Sequence, residues 1–158
     1  MITILDQFSQ DYIQVSNGCN YPCLRCNTQQ ASKDHYDYIV KSIVKGTFFS
    51  FFKRVRLYNI IGGDPFEYDD LLPLCRFLHR EAIKVRLWLN PSVNHDLLLQ
   101  VLPFVDEVAI NLPHIETIYL DDHLNNENIK DLEDTIFLLN NEKKSFFIHH
   151  FVTKDSLA

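Results

Sequence analysis

The sequence has no apolar run that approaches the roughly 20 residues needed to span a membrane, and it has no repeat, low-complexity tract or linker. It also has no excess of basic residues. The formal net charge is −6 and the isoelectric point is about 5.6, which argues against general nucleic-acid binding through a basic surface. The first residues include Asp6 and lack a basic region and a cleavage site, so we expect no secretory signal. These absences predict a cytoplasmic protein without a membrane or nucleic-acid partner.

Cysteine is scarce, but it is concentrated in one place. Three of the four cysteines in the 158 residues, Cys19, Cys23 and Cys26, have the spacing C-x3-C-x2-C. In a reducing compartment such a cluster is more typical of a metal site than of a disulfide. Thiolates bind soft metals and iron–sulfur clusters, and three thiolates leave one iron of a four-iron cluster without a protein ligand. An open coordination position is typical of a metal that does chemistry.

The cysteine spacing alone leaves a zinc site open as an alternative. The fourth zinc ligand would then be a histidine, for example His35, or the remaining cysteine, Cys75. Cys75 occupies a core-facing position of a predicted helix, which favours packing over metal binding. His35 lies at the start of a predicted helix, where a solvated side chain is the simpler interpretation.

The hydrophobic pattern alternates between strand and helix along a single domain, residues 1–158. Strands are predicted at 11–16, 54–61, 84–90, 107–113 and 145–153. Helices are predicted at 34–45 and after three capping residues: Asp69 or Asp70, then Asn94, then Asn128. This order predicts an α/β fold, a partial (βα) barrel with a parallel sheet of about five strands. In such sheets the functional residues gather at the carboxyl ends of the strands.

Three segments at those predicted strand ends together resemble the radical SAM superfamily. They are CNYPCLRC at 19–26, GGDP at 62–65 and LNPS at 89–92. The resemblance implies that Cys19, Cys23 and Cys26 hold a [4Fe-4S] cluster whose fourth iron is chelated by S-adenosyl-L-methionine. It also implies that the GGDP motif binds the methionine amino group, with an aspartate where glutamate is commoner. The residues of that motif are Gly62, Gly63, Asp64 and Pro65.

The same resemblance implies further contacts to the cofactor. It places Asn90 near the cofactor, Asn111 towards the ribose, and the segment from Ile148 to Phe151 near the adenine. Arg25 stands where the family usually has an aromatic residue, and its guanidinium could stack on a base. Because side chains alternate along a strand, either His149 or His150 faces the barrel interior. That histidine is a candidate substrate contact or proton donor, and an interior histidine with a purely structural hydrogen bond is an equally good interpretation.

The implied activity is reductive cleavage of S-adenosylmethionine to a 5′-deoxyadenosyl radical, which abstracts hydrogen from a C–H bond. A one-electron reductant such as flavodoxin or ferredoxin would be the partner. The family core has six βα units and this chain supplies five strands, so it is either a minimal open barrel or a truncated piece, without an auxiliary cluster. A wide lateral opening favours a peptide or protein substrate.

Three other functions stay open at this point. One is a small glycyl-radical-enzyme activase, although the glycine-rich segment that such activases have before their cysteines is absent. Another is a radical SAM enzyme acting on a small molecule such as a nucleoside precursor. The third, from a different class, is a non-catalytic Fe–S or zinc binding module that pairs with a partner subunit.

Overall fold

A computed structural model describes residues 10–16, 57–112 and 126–150 of the chain. Five β-strands are present in these residues: β1 Gln10–Ser16, β2 Leu57–Gly62, β3 Lys84–Leu89, β4 Glu107–Leu112 and β5 Ser145–His150. Three α-helices accompany them: α1 Leu71–Arg80, α2 His95–Val101 and α3 Asn126–Asn141. Two short 3₁₀ turns lie at Pro65–Glu67 and Leu102–Phe104.

All five strands are parallel and stand side by side in chain order, β1-β2-β3-β4-β5. Every connection therefore moves one strand along the sheet in the same direction. With crossovers of one hand, this order places the helices on one face and curves the sheet as in a barrel. The predicted α/β partial barrel with a parallel sheet of five strands is confirmed.

One face of the sheet is apolar and packs against the helices. Ile60, Leu87 and Val108 lie side by side in β2, β3 and β4, and none of them has accessible surface. Helix α1 buries the four residues that its periodicity predicts, and they join the same core. Each fully buried aliphatic side chain contributes about 2 kcal/mol to stability. The four residues of α1 are Leu71, Leu74, Cys75 and Leu78.

The opposite face of the sheet is polar and aromatic. Asn59 pairs in register with Arg86, and Arg86 pairs with Glu107. One pleat further along, Trp88 pairs with Ala109. This face corresponds to the interior of a closed barrel.

The structure corrects the predicted helix starts in part. Asn94 caps α2 as predicted, because its side chain accepts a hydrogen bond from the backbone N–H of Leu97 at 3.2 Å. Asp70 occupies the N-cap position of α1, but its side chain makes no capping hydrogen bond. The prediction that Asn128 caps the last helix is wrong, since Asn128 lies inside α3. Asparagine has an ordinary helix propensity, so it can lie within a first turn without capping it.

Two helices end without glycine, which the sequence does not signal. Ala82 after α1 and Lys143 after α3 have φ values of 56° and 52°. The next N–H in each case, from Ile83 and Lys144, reaches back five residues to a helical carbonyl, which is a Schellman arrangement. It lets the chain enter β3 and β5 within one or two residues of the turn.

Within the described ranges, no helix has the length and apolar character to cross a bilayer. The predicted helix at 34–45 lies outside the described residues, as do 54–56, 113 and 151–153 of the predicted strands.

Candidate functional site at the carboxyl edge of the sheet

Several of the predicted site residues meet at the carboxyl edge of the sheet. Because the strands are parallel, all their carboxyl ends lie at this edge. The Asn90 side chain follows β3 and donates from Nδ2 to the Gly63 carbonyl oxygen at 2.9 Å. On the other side, Asn111 and His149 pair in register. Residues that were predicted separately as site residues therefore meet in two pairs, each formed from adjacent strands.

The GGDP motif is fastened to the end of β1. The Gly63 N–H donates to the Ser16 carbonyl at 3.1 Å, and the Ser16 hydroxyl donates to the Asp64 carbonyl at 2.5 Å. A register shift between Gln14 and Ser16 brings Ser16 opposite Gly62, as a bulge does. Cys19 follows Ser16 by three positions in the sequence, so the GGDP motif is bound to the strand that precedes the cysteine segment.

Gly62 is required by the close approach of β1. A Cβ at this position would lie 2.8 Å from the Ser16 hydroxyl oxygen, 3.1 Å from its carbonyl oxygen and 3.2 Å from its amide nitrogen. Two of these contacts are with backbone atoms of Ser16, which cannot turn away as a side chain can. The absence of a side chain at Gly62 thus lets the second motif approach the strand that leads to the cysteines.

Asp64 shapes the turn that follows the two glycines. Its carboxylate accepts a hydrogen bond from the Phe66 N–H at 3.0 Å and caps the 3₁₀ turn, in which Pro65 is buried. Burial raises the pKa of the Asp64 carboxyl above its ordinary value; the Phe66 hydrogen bond opposes this shift, and the nearby Glu67 adds to it. The carboxylate is therefore a structural cap whose charge is partly desolvated.

Helix α3 holds the loop that carries Asn90. The buried Thr135 hydroxyl donates to the Pro91 carbonyl at 3.4 Å and lies 2.9 Å from Nε2 of His95. The Ser92 hydroxyl donates to Asp131 at 2.7 Å. Sequence reasoning missed this connection. The only available signal was a hydroxyl residue, Thr135, on the apolar stripe of a helix.

An aromatic cluster covers β4 on the polar face. Trp88 of β3 lies edge to face with Phe147 and with His149 of β5, at centroid distances of 6.0 and 5.1 Å. The two strands are not neighbours, and Ala109 of the intervening β4 has no accessible surface. His149 is further fixed by Asn111, whose Oδ1 lies 3.1 Å from its Nδ1. Trp88 was not among the predicted site residues.

The charges on this face are paired with each other. Arg86 donates to Glu107 Oε2 at 2.6 Å, and its guanidinium stacks over Phe147 at 5.0 Å. Asn59 is fully buried below them and accepts from the Trp88 indole N–H at 3.1 Å and from Arg86 at 3.4 Å. Side-chain contacts thus connect β2 to β5 across the polar face.

The predicted metal ligands Cys19, Cys23 and Cys26 lie outside the described residues, together with Arg25 and the side chain of His150. Within 10–16, 57–112 and 126–150, no three histidine, cysteine or acidic side chains are grouped as metal ligands would be. Cys75 is fully buried in the core, and burial raises the pKa of its thiol to about 12. A thiol in such surroundings serves to pack the core, which agrees with the prediction for Cys75.

Comparison with known proteins gives a fold and no family. No protein-family model matches the chain, and no curated protein matches its sequence. The fold does match solved structures. The crystal structure of SuiB from Streptococcus suis aligns with 92% of this chain and 40% of that chain, at 15% identity and a TM-score of 0.51. The chain therefore spans less than half the length of this neighbour, and at this identity the two proteins are alike in fold alone.

Proposed function

We propose that the chain is a radical SAM enzyme that modifies a peptide or protein. The observation that supports this most directly is where the C-x3-C-x2-C loop begins. It starts three residues after Ser16, whose backbone and hydroxyl bind the GGDP motif. The GGDP motif is thus hydrogen-bonded, at the carboxyl edge of a parallel sheet, to the end of the strand that precedes the cysteine segment in the sequence.

The described residues fit the amino-acid end of S-adenosylmethionine. The Gly63 carbonyl accepts one hydrogen bond from Asn90, and a carbonyl oxygen has a second lone pair that can accept from an ammonium group. Asp64 uses one carboxylate oxygen for the Phe66 N–H, and an ionised carboxylate can accept several hydrogen bonds. These acceptors suit a positively charged amine.

Asn111 fits a ribose in a more limited way. Its Oδ1 is used by His149, so the group that it would offer to a ribose hydroxyl is its amide N–H₂. The resemblance implies that residue 111 points towards the ribose, and the His149 contact would then hold the amide in one orientation.

When bound, a reduced [4Fe-4S] cluster and S-adenosylmethionine supply a carbon-centred radical that abstracts hydrogen from a C–H bond. The chain itself would orient the cofactor and exclude water from the site. Asn90 is held by the α3 loop contacts, which fixes the amide on the Gly63 carbonyl. Trp88 and Phe147 close over Ala109 and leave it no accessible surface, so this part of the polar face excludes water.

A macromolecular substrate is supported by the open sheet. Among the described strands, β1 and β5 each pair with one neighbour, so these strands do not close into a barrel. A substrate could therefore reach the polar face from the side of the sheet as well as from its carboxyl edge. A peptide segment can enter such a face without being enclosed.

The experiment is anaerobic reconstitution of the full chain with iron and sulfide. We expect sulfur-to-iron charge-transfer absorbance at about 400 nm and, with a chemical reductant and S-adenosylmethionine, release of 5′-deoxyadenosine. Cys23→Ala should lose both, whereas Cys75→Ala should keep both because Cys75 is a core residue. A colourless protein that binds zinc and releases no 5′-deoxyadenosine would contradict the proposal and support the non-catalytic module.

The substrate class needs a separate test. Hydrogen abstraction should transfer deuterium from the substrate into 5′-deoxyadenosine, so candidate peptides deuterated at Cα and Cβ can be compared with a deuterated nucleoside. Deuterium arriving only from the nucleoside would retain the enzyme class and reject the peptide substrate. Formation of a glycyl radical on an added partner enzyme would identify an activase instead.

A further inference from the structure

The ion pair on the polar face of the sheet contacts three neighbouring strands. Both Nε and Nη2 of Arg86 lie 2.6 Å from a single oxygen, Oε2 of Glu107 on β4. The same guanidinium lies over the ring of Phe147, with 5.0 Å from Cζ to the ring centroid. Its Nη1 donates to Oδ1 of Asn59 at 3.4 Å. One arginine of β3 therefore contacts β2, β4 and β5.

Trp88, two positions further along β3, has two of the same partners. Its indole N–H donates to Asn59 Oδ1 at 3.1 Å, and this oxygen also accepts from Arg86. Its ring lies edge to face with Phe147, at a centroid distance of 6.0 Å and an interplanar angle of 89°. Because Arg86 and Trp88 share these partners, the orientation of the guanidinium constrains the position of the indole.

The ion pair is better suited to fixing an orientation than to stabilising the sheet. The side chains of Arg86 and Glu107 are only 19% and 29% exposed, so both charges have lost part of their hydration. Replacing such a pair by apolar side chains is often neutral or stabilising. The planar guanidinium, in contrast, defines a geometry that an apolar side chain does not, because it directs two N–H groups at one oxygen while its face covers a ring.

We propose that Arg86 and Glu107 are positioning residues of the candidate site. They act by holding Trp88 against His149, at a distance of 5.1 Å between the ring centroids. Glu107 precedes Asn111 by four positions in β4, so the ion pair lies below the carboxyl edge, on the same face of the sheet. The inference rests on the proposed function for the identity of the site, and it adds residues that affect ligand binding without touching the ligand.

The chain carries its own probe of this arrangement, because Trp88 is its only tryptophan. The indole N–H gives one signal in a proton–nitrogen NMR spectrum of the full chain. The nuclear Overhauser effect between the Trp88 and His149 rings reports their distance. Both quantities are measured without iron, sulfide or S-adenosylmethionine, so they do not depend on the proposed function.

The first variant changes the shape of the cation and keeps its charge. The ammonium group of Arg86→Lys cannot direct two N–H groups at Glu107 and also cover Phe147 with a flat face. We expect the indole signal to move and the Overhauser effect between the Trp88 and His149 rings to weaken. As a control, the same change is made in Arg80→Lys, at a side chain that is 72% exposed. It should alter neither quantity.

A double variant separates positioning from stability. Arg86→Met combined with Glu107→Leu removes both charges and leaves neither unpaired. We expect a midpoint of urea unfolding no more than about 0.5 M below that of the wild type, together with a weaker Overhauser effect between the Trp88 and His149 rings. An unchanged effect in Arg86→Lys, or in the folded double variant, would overturn the inference. If the double variant does not fold, Arg86→Lys decides alone.

The consequence for the site is tested by equilibrium dialysis of S-adenosylmethionine against the reconstituted full chain, at equal iron content. We expect Arg86→Lys to bind about tenfold more weakly than the wild type, as is typical when a residue that orients a binding group is changed, and Arg80→Lys to bind equally well. Equal binding by Arg86→Lys and the wild type would overturn the role in the site. A wild type that does not bind S-adenosylmethionine would contradict the proposed function, whereas the NMR measurements would still decide whether Arg86 holds Trp88.

Discussion

Trp88 and His149 are in contact although β4 separates their strands. Their ring centroids are 5.1 Å apart, which is close to the spacing of adjacent strands, whereas the second neighbour in a sheet is about 10 Å away. The two rings can meet because Ala109 between them is small. This contact fixes the polar face of the sheet from β3 to β5.

The indole N–H of Trp88 should contribute measurably to stability. Trp88→Phe removes the hydrogen bond to Asn59, whose side chain is fully buried. We expect the free energy of unfolding to fall by about 1–2 kcal/mol in urea titration. Phe137→Leu, at a residue that is 67% exposed, should change it by no more than about 0.5 kcal/mol. Equal effects of the two changes would contradict the importance of this bond.

Gly62 should not tolerate a side chain. In Gly62→Ala the new methyl group would meet Ser16 at 2.8 to 3.2 Å, so we expect a loss of about 1–3 kcal/mol from overpacking, measured by thermal or urea unfolding. Adding Ser16→Ala removes only the hydroxyl contact, and most of the loss should persist because the other two contacts are with backbone atoms. If Gly62→Ala were as stable as the wild type, β1 would be able to move aside without an energetic cost.

The raised pKa of Asp64 makes stability depend on pH. Burial disfavours the ionised carboxyl, so the folded state binds the proton more tightly than the unfolded state. Stability is therefore lost as pH rises from the ordinary carboxyl value through the raised one. Asp64→Asn keeps a capping oxygen and removes the charge. It should be more stable than wild type at neutral pH, with the difference disappearing towards about pH 4.

Urea titrations of both proteins across this range measure that difference. Asp69→Asn makes the same change at an exposed aspartate and is the control. A wild-type protein that exceeds Asp64→Asn in stability at neutral pH would mean that the ionised cap outweighs the cost of desolvation.

The hydroxyl of Thr135 should contribute more to stability than the shape of its side chain does. Thr135→Val is nearly isosteric, yet it leaves the Pro91 carbonyl and the His95 ring nitrogen without their partner in α3. We expect a loss of about 1–2 kcal/mol and displaced side-chain amide signals of Asn90 in NMR spectra. Thr135→Ser keeps the hydroxyl and should leave the Asn90 signals in place. If the Asn90 signals did not move in the valine variant, α3 would not be needed to position Asn90.

Cys75 should be inert in the folded protein. With a thiol pKa of about 12 and no accessible surface, it should resist alkylation at neutral pH until the protein is unfolded, as mass spectrometry of labelled peptides can show. Cys75→Ala should retain the iron of the reconstituted protein, whereas Cys23→Ala should not. Loss of iron in Cys75→Ala would instead indicate that Cys75 is a fourth protein ligand of the metal site.

Much of the fold follows from local patterns. Alternation along Val85, Leu87 and Leu89 predicts β3, and the helical spacing of Leu71, Leu74 and Leu78 predicts the buried face of α1. These patterns hold because burial has a period of two in strands and 3.6 in helices. Helix boundaries are less well determined, as Asn128 shows, because an asparagine can lie within the first turn as well as at the N-cap.

Local patterns suffice to predict the strand–helix alternation and the parallel sheet. They also predict the grouping of Gly63, Asn90, Asn111 and His149, since parallel strands bring their carboxyl ends to one edge. Which atoms meet at that edge depends on the folded structure. The Ser16 hydroxyl reaches Asp64, Thr135 reaches Pro91, and Trp88 passes over Ala109 to His149. The partners are 48 residues apart for Ser16 and Asp64, 44 for Thr135 and Pro91, and 61 for Trp88 and His149. No local propensity encodes such pairings, because they depend on register and side-chain packing across the assembled sheet.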